Sequence, residues 1–385
     1  STASSSENTV PGSIFSRACG AGAARKRPGR RVIQARAMLQ SLARPRSARR
    51  PRPTRTAMVR VHYPLARGQI VLRAANDWER DIEPVARDRA GTRFDYLVDL
   101  KDDPFCYFKP ILREGGREVW AQGANGLALP GAAPLDLYPH FFSEPECAVR
   151  RLETRPSRRG DRSHRFRVFT PPGYDENTLA RYPVLYMHDG QNLFLPEEAF
   201  QGETWQVEET LRRLDAMNLV RPMIVVGVWP GDRMTDYTAP GYRDFGDYLA
   251  GEVAPWIDAR YRTLGEARHT AVLGSSLGGV VSLHLAWTHP EVFGGAACLS
   301  STFGYRDDLM ERVATEPTRS LRIYLDSGGP GDNYEVTLAM RDLLKARGWT
   351  EGRDLMHVAF PEATHDERSW ASRLHQPLQF LFPRG

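Results

Sequence analysis

The sequence predicts an α/β protein whose mostly parallel sheet follows a small all-β sandwich and a basic, disordered N-terminal tail. Three observations predict it. Apolar, β-rich runs at residues 182–187, 223–228, 270–273, 295–299, 321–325 and 355–360 alternate with helical patterns at 204–217, 245–261, 277–289, 334–347 and 367–382. Such alternation implies parallel strands with helices on both faces. Ahead of it, residues 58–134 carry short runs of alternating polarity between turn residues, and residues 1–57 show no hydrophobic period.

In chain order, the tail at 1–57 is rich in Ser, Ala, Arg and Pro and holds 13 Lys/Arg against the single acid Glu7. It lacks the apolar core of a secretory leader and has the Arg-rich, acid-poor look of a transit peptide. Translation assigned upstream of Met58 is the alternative origin, and the expected location is cytoplasmic. The runs at 69–74, 94–100, 105–112 and 118–123 are spaced as in a β-sandwich, with Trp78 and Trp120 among them. Residues 135–163 read as a linker ending in a polar stretch, and residues 164–385 as the α/β domain.

Composition narrows the function classes. No run reaches the 18 apolar residues of a membrane span, which excludes an integral membrane protein. The 16 Phe, 14 Tyr and 8 Trp suffice for a sizeable core. A net charge of +5 conceals two regions: beyond the tail, 39 basic side chains face 46 acidic ones, so the body is mildly acidic. Arginine without interleaved aromatics argues against nucleic-acid binding. Cys19, Cys106, Cys147 and Cys298 match no zinc spacing and are too scattered for a disulfide framework, so they read as buried thiols.

The strongest motif is Gly274-Ser275-Ser276-Leu277-Gly278, between a strand and a helix. A serine at the centre of G-x-S-x-G occupies a tight strand-to-helix turn, and the flanking glycines let backbone pass close by. This exposes the Ser276 oxygen above the sheet, next to the positive end of the helix. The Leu277 N–H becomes one oxyanion donor. A serine hydroxyl needs a base, and His365 is the best placed of ten histidines, in the loop after the last strand. His269, His284, His289, His357 and His375 sit in or beside regular elements and read as structural. The base needs a carboxylate, which either Asp326 or Asp332 can supply; Asp332 is favoured because a glycine-rich segment carries it over the strand end. Helix capping is the competing role for Asp332. The order Ser…Asp…His is that of α/β-hydrolases.

The loop His188-Asp189-Gly190-Gln191-Asn192 follows an early strand, where the second oxyanion donor is expected. Gly190 permits a bend there, leaving the Gln191 N–H as the donor. Asp189 has no second ligand at metal spacing, so neither a metal nor a cofactor is implied. Trp229 and Tyr237 follow a strand's C-terminal end, where ligands sit in open α/β sheets, and are the expected pocket residues.

Residues 164–385 resemble the esterase D family of α/β-hydrolases. The segments 182–194, 274–279 and 364–370 carry the likeness, and 232–238 resembles that family's Arg-x-x-Glu-Tyr-Thr stretch, with Asp236 where glutamate is usual. That departure is expected to alter a pocket wall. The resemblance implies a Ser276 nucleophile, a His365 base and an Asp332 acid. Residues 58–134 are similar to starch- and glycogen-binding sandwich modules, which stack sugars on exposed aromatics; Trp78 and Trp120 are the candidates, with core packing as the alternative. The expectation is a serine esterase acting through an acyl-enzyme on an acylated sugar or similar small ester. An acyltransferase on the same triad and an idle, glucan-binding protein are the rivals.

Overall fold

A computed structural model describes residues 55–142, 148–158, 160 and 162–384. The basic tail up to residue 54, Cys19 and Cys147 lie outside the described residues; Cys106 and Cys298 are buried free thiols. No helix among the described residues is long and apolar enough to cross a membrane.

The first part is a pair of facing sheets. In one, Ala86–Arg87, Arg93–Asp99, Thr56–His62 and Leu135–Leu137 lie side by side; in the other, Asp77–Ile82, Gln69–Ala74, Cys106–Glu114 and Arg117–Trp120, with Gly126–Ala128 also on Cys106–Glu114. Alternation sets the inner face: Ala57, Val59 and Val61 point in from Thr56–His62, to meet Ile70, Leu72, Phe94, Tyr96, Val98 and Phe108. Each Val, Ile, Leu or Phe among them contributes about 1.5–3 kcal/mol by leaving water. The Tyr96 hydroxyl, drawn into this core, donates to the Ile70 carbonyl at 2.6 Å.

The second part is a nine-stranded sheet. Ile224–Val228, Val184–His188, Thr270–Ser275, Gly295–Leu299, Arg322–Ser327 and Leu355–Ala359 run parallel in that spatial order; Ser163–Thr170 joins antiparallel beside Ile224–Val228. Val184 and Tyr186 point to one face, Leu185 and Met187 to the other, and all four are buried, so both faces need cover. The helix Leu277–Thr288 lies on one face with every residue from Leu277 to Trp287 buried; Val207–Ala216 and His375–Leu381 cover the other.

Three expectations change. The linker at 135–163 contains strands: Leu135–Leu137 pairs with Thr56–His62, while Ala148–Val149 and Glu153–Pro156 flank Ser163–Thr170. Strands of two to four residues are too short to print a period on the sequence. The helix at 245–261 is divided into Gly241–Tyr248, a π-helical turn Leu249–Val253, and Ala254–Arg260. The helix at 367–382 is likewise two, Glu367–Arg373 and His375–Leu381. Pro377 lacks the N–H that would reach back to the Arg373 carbonyl, so the chain turns at Leu374 and His375 opens the second helix.

The two parts meet at the segment after Ser163–Thr170. Glu176 accepts hydrogen bonds from the Tyr63 hydroxyl and the Phe141 and Phe142 N–H groups. Buried Asn177 donates to the carbonyls of His62 and Pro139 at 2.9 and 2.8 Å. All but the Tyr63 bond satisfy backbone of the sandwich with side chains of the α/β part.

Candidate active site

Ser276 joins Thr270–Ser275 to Leu277–Thr288 with φ 55° and ψ −123°, a conformation that side-chain-bearing residues rarely adopt. The turn is held by its own N–H, which donates to the Leu299 carbonyl at 2.8 Å. A Cβ on Gly274 would stand 2.5 Å from the Gly278 carbonyl, so the motif's first glycine is required by close backbone approach. Ser275 is buried, while Ser276 is half-exposed. Leu277 is the first helical residue, so its N–H has no intrahelical acceptor and lies at the positive helix end.

His365 lies in the loop between Leu355–Ala359 and Glu367–Arg373. Its Nδ1 is 2.6 Å from Asp332 Oδ1, its ring meets Trp370 edge-on at 5.0 Å, and 35% of its side chain remains accessible. Asp332 is buried; its Oδ2 accepts from the Ser300 hydroxyl and the Gly328 N–H, each at 2.6 Å. Burial pushes the Asp332 carboxyl upward, but the bonds from His365, Ser300 and Gly328, with the nearby Arg373 charge, hold it below the usual carboxylate range. Ser276 and Asp332 are brought together by consecutive residues: Leu299 accepts from the Ser276 N–H, and Ser300 bonds Asp332.

Asp326 bonds elsewhere. It is fully buried, accepts from the Tyr324 hydroxyl at 3.0 Å, and faces the Arg373 Nε at 3.2 Å. Burial pushes its carboxyl up to about 7, against the pull of Arg373 and Tyr324. Of the two acids, Asp332 is thus the one bonded to His365.

The other histidines have structural settings. His188 and His284 are buried, and desolvation, aided by Arg233 and Arg312 respectively, pushes each imidazole down to about 3. His284 stacks on Tyr242 at 3.8 Å, and His289 pairs with Asp247 at 3.2 Å.

In the loop at 188–192, Asp189 takes the left-handed conformation (φ 54°) and Gly190–Asn192 form a 3-10 turn. The bend expected at Gly190 thus falls on Asp189. Gly190 is required for a different reason: a Cβ there would lie 2.4 Å from the Trp229 ring. Asp189 is tied down by Arg233, which donates from Nε and Nη2 at 2.8 Å each, and its N–H donates to the Tyr237 hydroxyl at 3.0 Å. Gln191 stands in the turn, half-buried. Asn192 links the loop to the helix after His365, donating to Glu367 Oε1 at 3.1 Å.

Trp229 and Tyr237 are buried beneath this loop, with 4% and 0% exposure, so they support it instead of forming an open pocket wall. Asp236 is likewise not a wall residue; it is buried, 2.9 Å from His164 Nε2, and accepts from the Gly231 N–H at 2.7 Å. Among the described residues no group of three His, Cys, Asp or Glu side chains could hold a metal. Arg233, Ser300 and Arg373 escaped the sequence reading. Arg233 lies inside the 232–238 stretch and could have been found there, but nothing local marks Ser300 or Arg373.

On the sandwich, Trp78 and Trp120 are 36% and 38% exposed, with ring centroids 6.1 Å apart and planes at 52°. The Arg73 guanidinium lies 5.6 Å from the Trp120 ring.

Residues 157–381, more than half of the chain, match the family described as "Putative esterase". The chain belongs to that esterase family. It is a carboxylic ester hydrolase. The esterase is 23% identical over 242 residues to the uncharacterized protein YbbA of Bacillus subtilis, covering 58% of this chain and 94% of that protein. It is 25% identical over 223 residues to an endo-1,4-beta-xylanase/feruloyl esterase of Xylanibacter ruminicola, covering 56% of this chain but 29% of that larger protein. Among solved structures, a ferulic acid esterase aligns with TM-score 0.52 at 20% identity, covering 62% of this chain and 98% of its own. The enterobactin esterase FES of Shigella flexneri aligns with TM-score 0.51 at 18% identity, covering 81% and 87%. These likenesses establish the fold, and the second extends beyond the family segment.

Proposed function

We propose that this esterase hydrolyses the ester of an acylated sugar or a similar small ester through an acyl-enzyme on Ser276. His365 removes the Ser276 proton as Oγ attacks the ester carbonyl. The carbonyl π electrons move onto oxygen, where the Leu277 and Gln191 N–H groups receive the negative charge. The C–O bond to the alcohol then breaks, and His365 donates the proton to the leaving oxygen. Water repeats the sequence: His365 takes its proton, hydroxide equivalent adds to the acyl carbon, and Ser276 Oγ leaves with the proton returned. Asp332 holds the imidazole with Nδ1 protonated, leaving Nε2 as base, and stabilises the imidazolium.

The observation that carries this reading is the 2.6 Å contact between His365 Nδ1 and Asp332 Oδ1, at the same sheet end as a serine in a strained strand-to-helix turn. A fluorophosphonate probe followed by mass spectrometry tests it. Labelling at Ser276 alone, abolished by His365→Ala, is the expected result; a folded protein that takes no label would sink it.

The exposed Trp78–Trp120 pair supports a second role, the binding of a glucan by the sandwich. Two indole faces set at an angle suit the faces of successive sugars on a curved chain, and Arg73, held by Asp81 and Glu118, braces the Trp120 ring. Retardation of the protein in gels containing soluble glucan is its test.

A further inference from the structure

Arg373 is 1% exposed, the burial least expected of an arginine, and lies at the end of Glu367–Arg373. Around it stand Asp326, with Oδ1 3.2 Å from Nε, Asp332, with Oδ2 3.4 Å from Nη2, the Ser300 hydroxyl, to which Nη2 donates, and the Phe360 ring at 5.4 Å. Tyr324 borders Asp326, and Cys298 lies close by.

We propose that Arg373 is a positioning residue for the triad: through Ser300 it fixes one oxygen of Asp332 so that the other is presented to His365. The inference rests on the triad reading above.

A serine hydroxyl has one proton to give and two lone pairs to receive with. Ser300 Oγ receives from Arg373 Nη2 and from the Trp370 indole N–H at 3.1 Å, and neither of those groups can accept. Both lone pairs are therefore occupied, and the hydroxyl proton has one direction left: Asp332 Oδ2, at 2.6 Å. With the Gly328 N–H on the same oxygen, and Arg373 Nη2 reaching it directly at 3.4 Å, Oδ2 is held by three donors. Oδ1 is left for His365. Asp326 and Phe360 in turn flank the guanidinium, so the chain of contacts runs from the strand Arg322–Ser327 to the imidazole.

A competing role is that Arg373 only offsets the buried charge of Asp326. The two roles differ in what the enzyme does with pH. Burial pushes Asp326 up to about 7, so below that pH it is mostly neutral and the Arg373 charge bears on Asp332, the partner of His365. A cation there disfavours the imidazolium. The other charges next to His365 are the carboxylates of Asp332 and, following it in the chain, Asp366 and Glu367.

The experiment compares full-length wild type with Arg373→Met, Ser300→Ala and Asp332→Asn, following steady-state hydrolysis of a chromogenic acetyl ester against pH and the melting curve of each. Arg373→Met is expected to lower kcat roughly tenfold to a hundredfold with KM little changed. Its acid limb of kcat/KM moves to higher pH, because the lost cation no longer opposes protonation of His365. Ser300→Ala, which removes no charge, lowers kcat and leaves the acid limb in place. A folded Arg373→Met enzyme with wild-type kcat and acid limb overturns the proposal. If that variant does not fold, Ser300→Ala decides, and an unchanged kcat overturns it. Asp332→Asn reports on the triad itself: wild-type turnover there removes the reading on which this inference rests, whereas its inactivity beside an indifferent Arg373→Met removes the inference alone.

Discussion

His365 meets Asp332 across the C-terminal ends of two adjacent parallel strands, Arg322–Ser327 and Leu355–Ala359, with Nδ1 and Oδ1 2.6 Å apart. The open end of a parallel sheet is where loops from separate strands converge, and here they deliver an imidazole and a carboxylate from residues 33 apart in the chain. Nδ1 is occupied by the carboxylate, so Nε2 is the nitrogen free to exchange a proton. On the third strand along, Thr270–Ser275, the same sheet end carries Ser276.

Ser276→Ala is expected to lower kcat about 10⁴-fold or more, since a triad without its nucleophile keeps only the contribution of the oxyanion site and binding. Alanine keeps the φ of 55°, which glycine would relieve. Ser276→Gly should therefore be as inactive as Ser276→Ala but melt higher, the difference reflecting about 1 kcal/mol of backbone strain. Calorimetry of the two variants checks this; equal melting temperatures would contradict the strain.

Gly190→Ala is expected to damage the loop bearing Gln191. The added methyl would lie 2.4 Å from the Trp229 ring, and Trp229, itself buried, has little room to retreat. Overpacking of this kind costs about 1–3 kcal/mol, and any shift of the turn misdirects the Gln191 N–H. A lower kcat should accompany a lower melting temperature. Gly190→Ala with wild-type kcat would detach Gln191 from the oxyanion role.

Trp78→Ala and Trp120→Ala should each weaken retention on soluble glucan, by roughly 1 kcal/mol or more if a sugar face stacks on the ring. Hydrolysis of a small soluble ester should stay at the wild-type rate, because both rings lie on the sandwich. Unaltered mobility of the double variant in a glucan gel would refute the platform.

Much of this was legible in the sequence, for reasons that particular residues make plain. The turn at Ser276 announces itself because Gly274 is forced by the close approach of the Gly278 backbone, and such a requirement leaves a local trace. His365 and Asp332 could be ranked because strand ends can be located from apolar runs. What escaped depends on contacts between distant segments. Arg373 looks like a surface arginine on an amphipathic helix; it is buried because Asp326, Asp332 and Ser300 arrive from other strands. Trp229 and Tyr237 sit where a pocket is expected, yet Gly190 and the Asp189 N–H draw them beneath the loop. The linker strands at 148–149 and 153–156 exist because an edge strand offers them partners, which no local pattern reveals.

The two buried aspartates should respond to pH with opposite signs. Asp332 is held below the ordinary carboxylate range in the folded protein, so its contribution to stability is present above the unfolded value and is lost as pH falls through the folded one. Asp326 is pushed up to about 7, so between its ordinary value of 3.8 and about 7 the folded state binds more protons than the unfolded chain. Stability from that group therefore declines as pH rises through this window. Replacing each by asparagine removes its own slope. The stability lost in Asp332→Asn relative to wild type should be full at pH 6 and diminish below pH 4. The stability difference between wild type and Asp326→Asn should shift in favour of the variant from pH 5 to pH 8. Urea unfolding of the three proteins across that range reads both slopes, and parallel curves for wild type and Asp326→Asn would show that Asp326 is already ionised when folded.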